Sequence, residues 1–355
     1  MVFSILLLSG CDEDSSEEMP GADFDRSAML QQVADDLVIP NFQTLRNSVD
    51  QLAVETEAFV QNPDEERLAD LRSAWIEAAI DHQYCSAFGF GPGELLLGPY
   101  ATVLGVFPVD EEKIESNIVS ESFDLPNSFD RDIRGFYAIE YLIFRGDISD
   151  EALITSFDTN RSEYLSLIVD EIQSTVNGIV NEWNGSYRQS FIESNGTSAG
   201  SSISLYYNEF VKDYENLKNF KVELPAGLTA GQTQANGTLV EAFYSGISSE
   251  LIEHHFENSK NIWSGTTRDG RESTGFKEYL MSVAGGPQLV EVTQEAITEI
   301  DQAIASLPEG PLSESVDAAE VVILRDRLQD NTANFKSSMS SLLGISITFN
   351  SGDGD

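Results

Sequence analysis

The sequence predicts an all-α protein made of two packed helical bundles. Apolar residues recur at three- and four-residue steps along most of the chain, the spacing that gives a helix one apolar face. Hydrophobic residues make up 41% of the 355 residues, which is enough for a substantial core and for about two domains. Only residues 345–349 have a strand-like pattern, and a short extended tail fits that pattern equally well.

The first 22 residues are predicted to be a lipoprotein signal followed by an acidic tether. A short apolar stretch leads into the tetrad LSGC, which ends at Cys11 and resembles a bacterial lipobox. The acidic residues of 12–18 keep the next segment solvated. Cys11 is therefore the predicted lipidation site. A lipid anchor there would hold the protein on the membrane in the bacterial cell envelope, at the outer membrane and facing the periplasm or the surface. The alternative is a cysteine that falls here by accident.

Residues 23–195 are predicted to form the N-terminal bundle. Pro40 should kink the first helix, over 24–60, or split it in two, because proline lacks the N–H that an interior position donates. A second helix carries Trp75 and runs towards Phe88. Further helices of this bundle are predicted over residues 111–119, 131–144 and 153–183.

A long loop rich in glycine and proline is predicted inside the first bundle. Residues 88–108 contain five glycines and three prolines, together with apolar side chains such as Leu96 and Phe107 that would anchor the loop to the core. Loops of this length within a domain are usually functional or wrap around the core. Both roles stay open at this stage.

Residues 196–355 are predicted to form the C-terminal bundle. A polar stretch rich in glycine and serine, residues 195–202, marks the boundary between the two bundles or is an inter-helix loop near it. The same helical spacing then resumes. Helices are predicted over residues 203–220, 240–263, 274–283, 290–307 and 315–343.

The charge balance excludes several classes of partner. The chain has 20 basic and 60 acidic residues, a formal net charge of −40. Such a surface repels the phosphates of nucleic acids and of anionic lipids, so no nucleic-acid partner is expected. It raises the concentration of metal ions and basic peptides near the protein, but this charge alone does not define a binding site. No run of 18 or more apolar residues occurs, so no transmembrane helix is predicted.

Most sequence motifs of catalysis are absent. The chain has no Walker loop and no His-Glu-x-x-His pair. It has only three histidines, which disfavours a zinc peptidase site built on two or three imidazole ligands. A Ser-His-Asp triad stays open, because its members are brought together by the fold and not by sequence spacing.

One helix carries a candidate functional pair in apolar surroundings. Tyr137 and Glu140 are three residues apart, so they share one face of the helix predicted over 131–144. Glu140 is then either a buried functional carboxylate or the polar edge of an amphipathic helix. The spacing alone leaves both interpretations open.

This helix resembles the signature of the imelysin family, the peptidase M75-like proteins. The family pattern is Gly-x-His-x-x-Glu, and residues 135–144, GFYAIEYLIF, match it closely except that Tyr137 stands in place of the histidine. Trp75 with residues 88–92 resembles the family's Trp helix and Gly-Pro loop. Residues 107–110 resemble its Trp-Pro-x-Asp segment, and 353–355 its closing Asp-Gly-Asp. The resemblance extends over most of the chain.

The resemblance implies a site where the signature helix meets the Trp helix, with these residues: Gly135, Tyr137, Glu140, Asp81, His82 and Ser86. In the family, imidazole and carboxylate three residues apart can hold a divalent ion. Here Tyr137 replaces the imidazole, and Ser86 stands near the place of a family acidic residue, which disfavours a metal that activates water. Phenolate is a hard ligand for ferric iron, so Tyr137 and Glu140 remain candidate ligands for iron or another divalent or trivalent metal.

A second cluster has spacing that suits metal binding on a helix. Glu250 and His254 are four residues apart, and His254 and Glu257 are three apart. With 60 acidic residues in the chain, chance neighbours of this kind are common. A solvated helix face is therefore the favoured interpretation.

The family is also linked to bacterial iron uptake, so the resemblance implies a cell-envelope lipoprotein that binds a metal or another ligand without hydrolysing peptides. Iron-uptake proteins of the envelope are the expected partners. The alternative is a divergent metallopeptidase whose site is rebuilt around Tyr137, Glu140 and His82. A third interpretation is a purely structural or adhesion lipoprotein whose ancestral site has decayed.

Overall fold

A computed structural model describes residues 24–121, 123 and 130–349 of the chain. Over these residues helices dominate, and the strands form a single two-stranded hairpin. The predicted all-α class is therefore confirmed, with the helices packed side by side as bundles. The predicted lipidation site Cys11, with the rest of residues 1–22, and the closing residues 353–355 lie outside the described part.

The first half of the chain packs around one long helix. In order, its elements are α1 (Arg26–Gln32), a π-helical segment (Val33–Val38), α2 (Ile39–Gln61), α3 (Glu65–Gln83), β1 (Glu94–Leu95), β2 (Gly98–Pro99), α4 (Tyr100–Leu104), α5 (Glu111–Ser120), α6 (Gly135–Phe144), α7 (Asp150–Thr155), α8 (Thr159–Glu182), a second π-helical segment (Trp183–Tyr187) and α9 (Arg188–Glu193). Helix α2 contacts both α3 and α8 along most of its length, and α6 packs between α3 and α8.

The second half forms the other group of helices. Its elements are α10 (Ser202–Asn216), a π-helical segment (Leu217–Glu223), α11 (Ser248–Ser264), α12 (Phe276–Met281), α13 (Gly286–Ala305), α14 (Ala319–Thr332), a further π-helical segment (Ala333–Ser338) and α15 (Met339–Leu343). Helices α13 and α14 form an antiparallel pair beside α10 and α11. The two halves meet where α3 contacts α11.

Side-chain caps fix where several helices begin. Asp64 accepts a hydrogen bond of 2.9 Å from the backbone N–H of Arg67, and Asp158 accepts one of 3.0 Å from the N–H of Arg161. Each aspartate satisfies a backbone donor that the first turn of a helix leaves unpaired. The capping residue Asp64 therefore positions α3, which carries two of the predicted site residues, Asp81 and His82.

The first helix changes type near its proline. The π-helical segment Val33–Val38 ends directly before α2, and Pro40 lies in the first turn of α2. A π turn widens the helix where the normal hydrogen-bond ladder is interrupted. The irregularity therefore occurs where the sequence predicts an interruption by Pro40.

Two helix predictions are wrong in their bounds. The helix predicted over 153–183 is two helices, because the capping residue Asp158 starts α8 after a turn. The helix predicted over 240–263 begins only at Ser248. Before it, Ala242 and Gly246 adopt φ values of +54° and +76°, which an α-helix does not accommodate.

The chain end at 345–349 contains no strand. Instead the backbone N–H of Thr348 donates a hydrogen bond of 2.7 Å to the side chain of Asn208 on α10, as fits the extended tail. In the described part of the chain, no helix combines the length and the apolar character that crossing a bilayer requires.

Candidate functional site

The signature helix α6 begins at a glycine that the fold requires. Gly135 has a φ of +75°, and a Cβ atom at this position would lie 2.1 Å from the carbonyl oxygen of Leu104 at the end of α4. A side chain here would both strain the backbone and clash with α4. The Nε1 atom of Trp75 on α3 donates a hydrogen bond of 2.8 Å to the carbonyl of Phe136, which joins α6 to the Trp helix.

Tyr137 is buried and bonded to a residue from the other half of the chain. Its hydroxyl donates a hydrogen bond to the Glu241 carboxylate. Burial raises the pKa of Tyr137 well above its ordinary value, and the nearby charge of Glu241 adds to the increase. The phenol therefore stays protonated at neutral pH.

Glu140 is also buried, on the same face of α6, and it binds a turn before α11. Its Oε1 atom accepts hydrogen bonds of 2.7 Å from the backbone N–H of Ser245 and 2.8 Å from its hydroxyl. Burial raises the pKa of Glu140 to about 7, although the hydrogen bonds from Ser245 oppose this increase. Glu140 thus holds residues 241–245 against α6.

Tyr137 and Glu140 line only a small crevice. Its volume is about 20 Å³, and loop residues before α5 and before α11 form the rest of its lining. A space of this size holds about one water molecule. The predicted pair therefore lines a space that is too small for a ligand.

A much larger cavity, here called the junction cavity, lies beside this crevice where the two halves meet. Its volume is about 400 Å³. It is lined by residues of α3, α4, α10, the following π-helical segment and α11, together with the loop residues Val106 and Phe107 and the turn residue Glu241. Its ionisable and histidine side chains are His82, Lys212, Asp213, Lys221, Glu241 and His255.

Glu241 is the link between the crevice and the junction cavity. Its Oε2 atom lies 2.8 Å from the ammonium nitrogen of Lys221, and its Oε1 atom accepts a hydrogen bond of 3.3 Å from Gln83 in addition to that from Tyr137. Lys221 also donates to the amide oxygen of Gln83. These four buried side chains form one network between α3, α6 and the π-helical segment.

His82 lines the junction cavity as a neutral imidazole. Burial lowers its pKa to about 3, and the charge of Lys221 adds to the decrease. Its Nδ1 atom lies 3.0 Å from the hydroxyl of Tyr100, which fixes the plane of the ring. A Cβ atom at Gly105 would lie 2.7 Å from Nε2, so this glycine leaves room for the ring.

Ser86 lies beside a buried aspartate–histidine pair in the same cavity. The Ser86 hydroxyl donates a hydrogen bond of 2.9 Å to Oδ2 of Asp213. The same oxygen lies 2.9 Å from Nε2 of His255. The order of contacts is serine, aspartate, histidine, so the histidine cannot remove the serine proton as it would in a hydrolase triad.

Asp81 lies outside the lining of the junction cavity. It is buried, and its carboxylate accepts a hydrogen bond from Arg268 of the loop after α11. The guanidinium of Arg268 also lies over the ring of Tyr84, 4.1 Å from its centre. Asp81 therefore ties α3 to the second half and takes no part in the cavity.

The predicted site residues thus divide into two places. Gly135, Tyr137 and Glu140 form the crevice, whereas His82 and Ser86 line the junction cavity. The sequence did not predict the cavity residues that come from the second half of the chain, which are Lys212, Asp213, Lys221, Glu241 and His255. Charged residues at helical spacing in 212–221 and a histidine at 255 were visible signals, but only the fold shows that they meet.

The residues on α6 do not fit the resident metal that the family signature implies. The Tyr137 hydroxyl donates a hydrogen bond to Glu241, and the raised pKa of Tyr137 disfavours the phenolate that iron would require. Glu140 uses Oε1 for Ser245. Nor do three or more His, Cys, Asp or Glu side chains group closely enough to hold a metal ion anywhere in residues 24–121, 123 and 130–349.

The second cluster on α11 has other partners. His254 Nδ1 lies 3.0 Å from the hydroxyl of Tyr84, and Glu257 lies 2.6 Å from the ammonium of Lys260. Glu250 is exposed. These contacts fit the favoured interpretation of a helix surface.

Two packed helical bundles with a cavity at their junction are the architecture of this chain. The model of the imelysin family matches residues 38–339, and the chain belongs to this family. No protein in the curated set matches the sequence.

Two solved structures share the fold. A protein described as an iron-regulated protein A precursor, from Parabacteroides distasonis, has a TM-score of 0.76 at 19% sequence identity, over 92% of this chain and 97% of that one. An imelysin-like protein from Psychrobacter arcticum has a TM-score of 0.74 at 18% identity, with the same coverage. At these identities the likeness shows the fold alone.

Proposed function

We propose that this protein is a lipid-anchored member of the imelysin family that binds a ligand in the junction cavity, does not hydrolyse peptides, and serves iron uptake in the bacterial cell envelope. The observation that carries the proposal is the cavity itself. Its volume of about 400 Å³ is in the range of small-molecule sites, and both halves of the chain line it.

The donor chemistry of the cavity supports binding over hydrolysis. Water activation needs a base or a metal with free coordination positions. Asp213 is bonded to Ser86 and His255, Glu241 is bonded to Tyr137 and paired with Lys221, and His82 is contacted by Tyr100. These polar groups hold each other in place at fixed positions of the cavity wall.

The envelope location and the link to iron rest on other observations. The tetrad before Cys11 supports a lipid anchor, and the acidic segment after it supports a solvated tether. One protein with the same fold is described as iron-regulated. A net charge of −40 also favours cations near the surface.

Growth under iron limitation tests this function in the bacterium that encodes the chain. Deletion of the gene should slow growth when iron is chelated, and the intact gene should restore it. Cys11→Ser, which removes the anchor, should fail to restore it, and so should Ala101→Trp, which places an indole at the wall of the cavity. Ala69→Trp, on an exposed position of α3, is the matched control. Full growth with Ala101→Trp would refute ligand binding in the cavity.

One observation favours the metallopeptidase as the second candidate. A buried carboxylate whose pKa is about 7, as for Glu140, has the proton affinity of a general base. Cleavage of a basic peptide that is abolished both by a chelator and by Glu140→Gln would establish this activity. Without cleavage, or with cleavage that survives the substitution, this candidate fails.

A further inference from the structure

A buried lysine at the wall of the junction cavity has hydrogen-bonding capacity to spare. The side chain of Lys221 is 8% exposed, and its nitrogen lies 2.8 Å from Glu241 and donates to Gln83. An ammonium group carries three N–H donors, and these partners use two of them. Since Lys221 also lines the cavity, its ammonium group is the natural partner for an anionic group of a ligand there.

The charge around the cavity differs from that of the rest of the molecule. The chain has only seven lysines, and three of them lie within residues 212–221. Two of these, Lys212 and Lys221, line the cavity. Lys212 is paired with Glu209, and Lys221 is paired with Glu241. In a chain with a net charge of −40, two ammonium groups at one wall make the cavity more favourable to an anion than the outer surface.

The rest of the lining is mainly apolar. Phe107, Phe220 and Leu224 provide hydrophobic surface in the lining. A fitting ligand therefore has an apolar body and one charged end. A hydrated inorganic anion would leave the apolar walls without contact.

We propose that the junction cavity binds an organic carboxylate, with its apolar part against Phe107, Phe220 and Leu224 and its carboxylate on the ammonium of Lys221. This inference rests on the proposed function and names the class of ligand. The ammonium supplies the positive charge at a position where Glu241, Gln83 and Tyr137 converge. The protein thus needs no metal ion to bind an anion at this place.

Calorimetry with a matched pair of probes tests the ligand class. The full chain carrying Cys11→Ser is titrated with octanoate and with octanamide, which has the same apolar chain and no charge. We expect octanoate to bind and octanamide to bind at least about tenfold more weakly, because a hydrogen bond to a charged group adds that much. Equal affinity for both probes, or no binding of octanoate, would overturn the proposal.

Two substitutions separate ligand binding from a purely structural role of the ion pair. Lys221→Met should weaken octanoate binding at least about tenfold, whereas Lys113→Met, which removes a charge from the exposed helix α5, should have no effect. Glu241→Gln should bind octanoate at least as tightly as the parent chain, because the ligand then becomes the counter-ion of Lys221. A structural role predicts that both cavity variants lose binding equally, and that result would overturn the proposal.

A third variant keeps the test valid if Lys221→Met does not fold. The pair Lys221→Met with Glu241→Gln removes both charges together, which avoids a buried unpaired carboxylate. We expect this chain to bind octanoate and octanamide with equal affinity, and a retained preference for octanoate would refute the role of Lys221. Growth of the strain with Ala101→Trp reports separately on the proposed function. If this strain fails to grow under iron limitation while the parent chain binds octanoate and octanamide equally, the function of the cavity stands and only the carboxylate is rejected.

Discussion

The crevice on α6 and the junction cavity share one side chain, Glu241, yet they differ in almost every other respect. The crevice has a volume of about 20 Å³ and contains the two signature residues, both bonded to the segment before α11. The cavity has a volume of about 400 Å³ and is lined by residues from both halves. Signature residues can therefore serve the framework of a site while the ligand space lies next to them.

This division changes the role that the sequence assigns to Tyr137 and Glu140. Both are held by hydrogen bonds to the segment 241–245, and Glu241 of that segment reaches the cavity. We infer that the pair positions Glu241, and through it Lys221, at the cavity wall. The variants below test the crevice and the cavity separately.

The largest effect is expected from Gly135→Ala, which disturbs the crevice at its base. The added Cβ atom would lie 2.1 Å from the Leu104 carbonyl, at a φ of +75°. Backbone strain and overpacking together should lower the free energy of unfolding by about 4 kcal/mol. Urea denaturation of the Cys11→Ser chain measures this loss.

Gly178→Ala is the control for this substitution. Gly178 lies inside α8, and nothing lies within 4 Å of a Cβ atom at this position. Alanine should raise the free energy of unfolding by up to about 1 kcal/mol, because glycine is a poor helix former. Equal effects at the two glycines would show that α4 does not approach α6 as described.

The second effect is a pH dependence that originates in the crevice. The pKa of Glu140 is raised to about 7 from 4.5, so the folded state holds this proton more tightly than the unfolded chain. Its contribution to stability is then greatest below pH 4.5 and is lost as the pH rises to about 7. Over this interval the parent chain should lose about 3 kcal/mol relative to Glu140→Gln, which does not titrate.

Urea midpoints at several pH values provide this comparison. Parallel curves for the parent chain and Glu140→Gln between pH 4.5 and 8 would mean that Glu140 is ionised at an ordinary pKa. That outcome would contradict its burial against Ser245.

A smaller effect is expected from Tyr137→Phe, which cuts the link between the crevice and the cavity. Glu241 would lose one buried hydrogen bond and keep its contacts with Lys221 and Gln83. The free energy of unfolding should fall by about 1–2 kcal/mol. Tyr141→Phe is the control, since its hydroxyl bonds to Glu115, whose side chain is 33% exposed and can be rehydrated. A larger loss for Tyr141→Phe would refute the link.

The smallest effect is expected from Ser245→Ala. This change removes one of two hydrogen bonds to Glu140 and leaves the backbone N–H in place. The free energy of unfolding should fall by about 1 kcal/mol, and the pKa of Glu140 should rise further. Ser73→Ala, on the exposed side of α3, is the control and should change neither quantity. If Ser245→Ala does not raise the pH midpoint of the stability change, the contact between Ser245 and Glu140 is contradicted.

Much of the fold could be predicted from helical spacing and from capping residues such as Asp64. The segment 240–247 could not, because its apolar spacing is that of a helix while Ala242 adopts a positive φ. Such a conformation is imposed by tertiary contacts, here those of Glu140 with Ser245. Local sequence does not encode it.

Only the site residues from the first half of the chain could be predicted from the sequence. The pairing of Tyr137 and Glu140 on one helix face follows from their spacing, and His82 and Ser86 follow from the family resemblance. Glu241 lies 104 residues from its partner Tyr137, and it is one of 60 acidic residues. Spacing carries no information about contacts at that distance, so the cavity appears only when the two halves are packed together.

Uptake of radioactive iron by the complemented deletion strain tests the central claim most directly. With Ala101→Trp in the junction cavity, uptake should fall to the level of the deletion strain. With Glu140→Gln in the crevice, where the amide still accepts from Ser245, uptake should match that of the parent chain. Normal uptake with Ala101→Trp together with lost uptake in Glu140→Gln would contradict the claim and place the function at the signature pair.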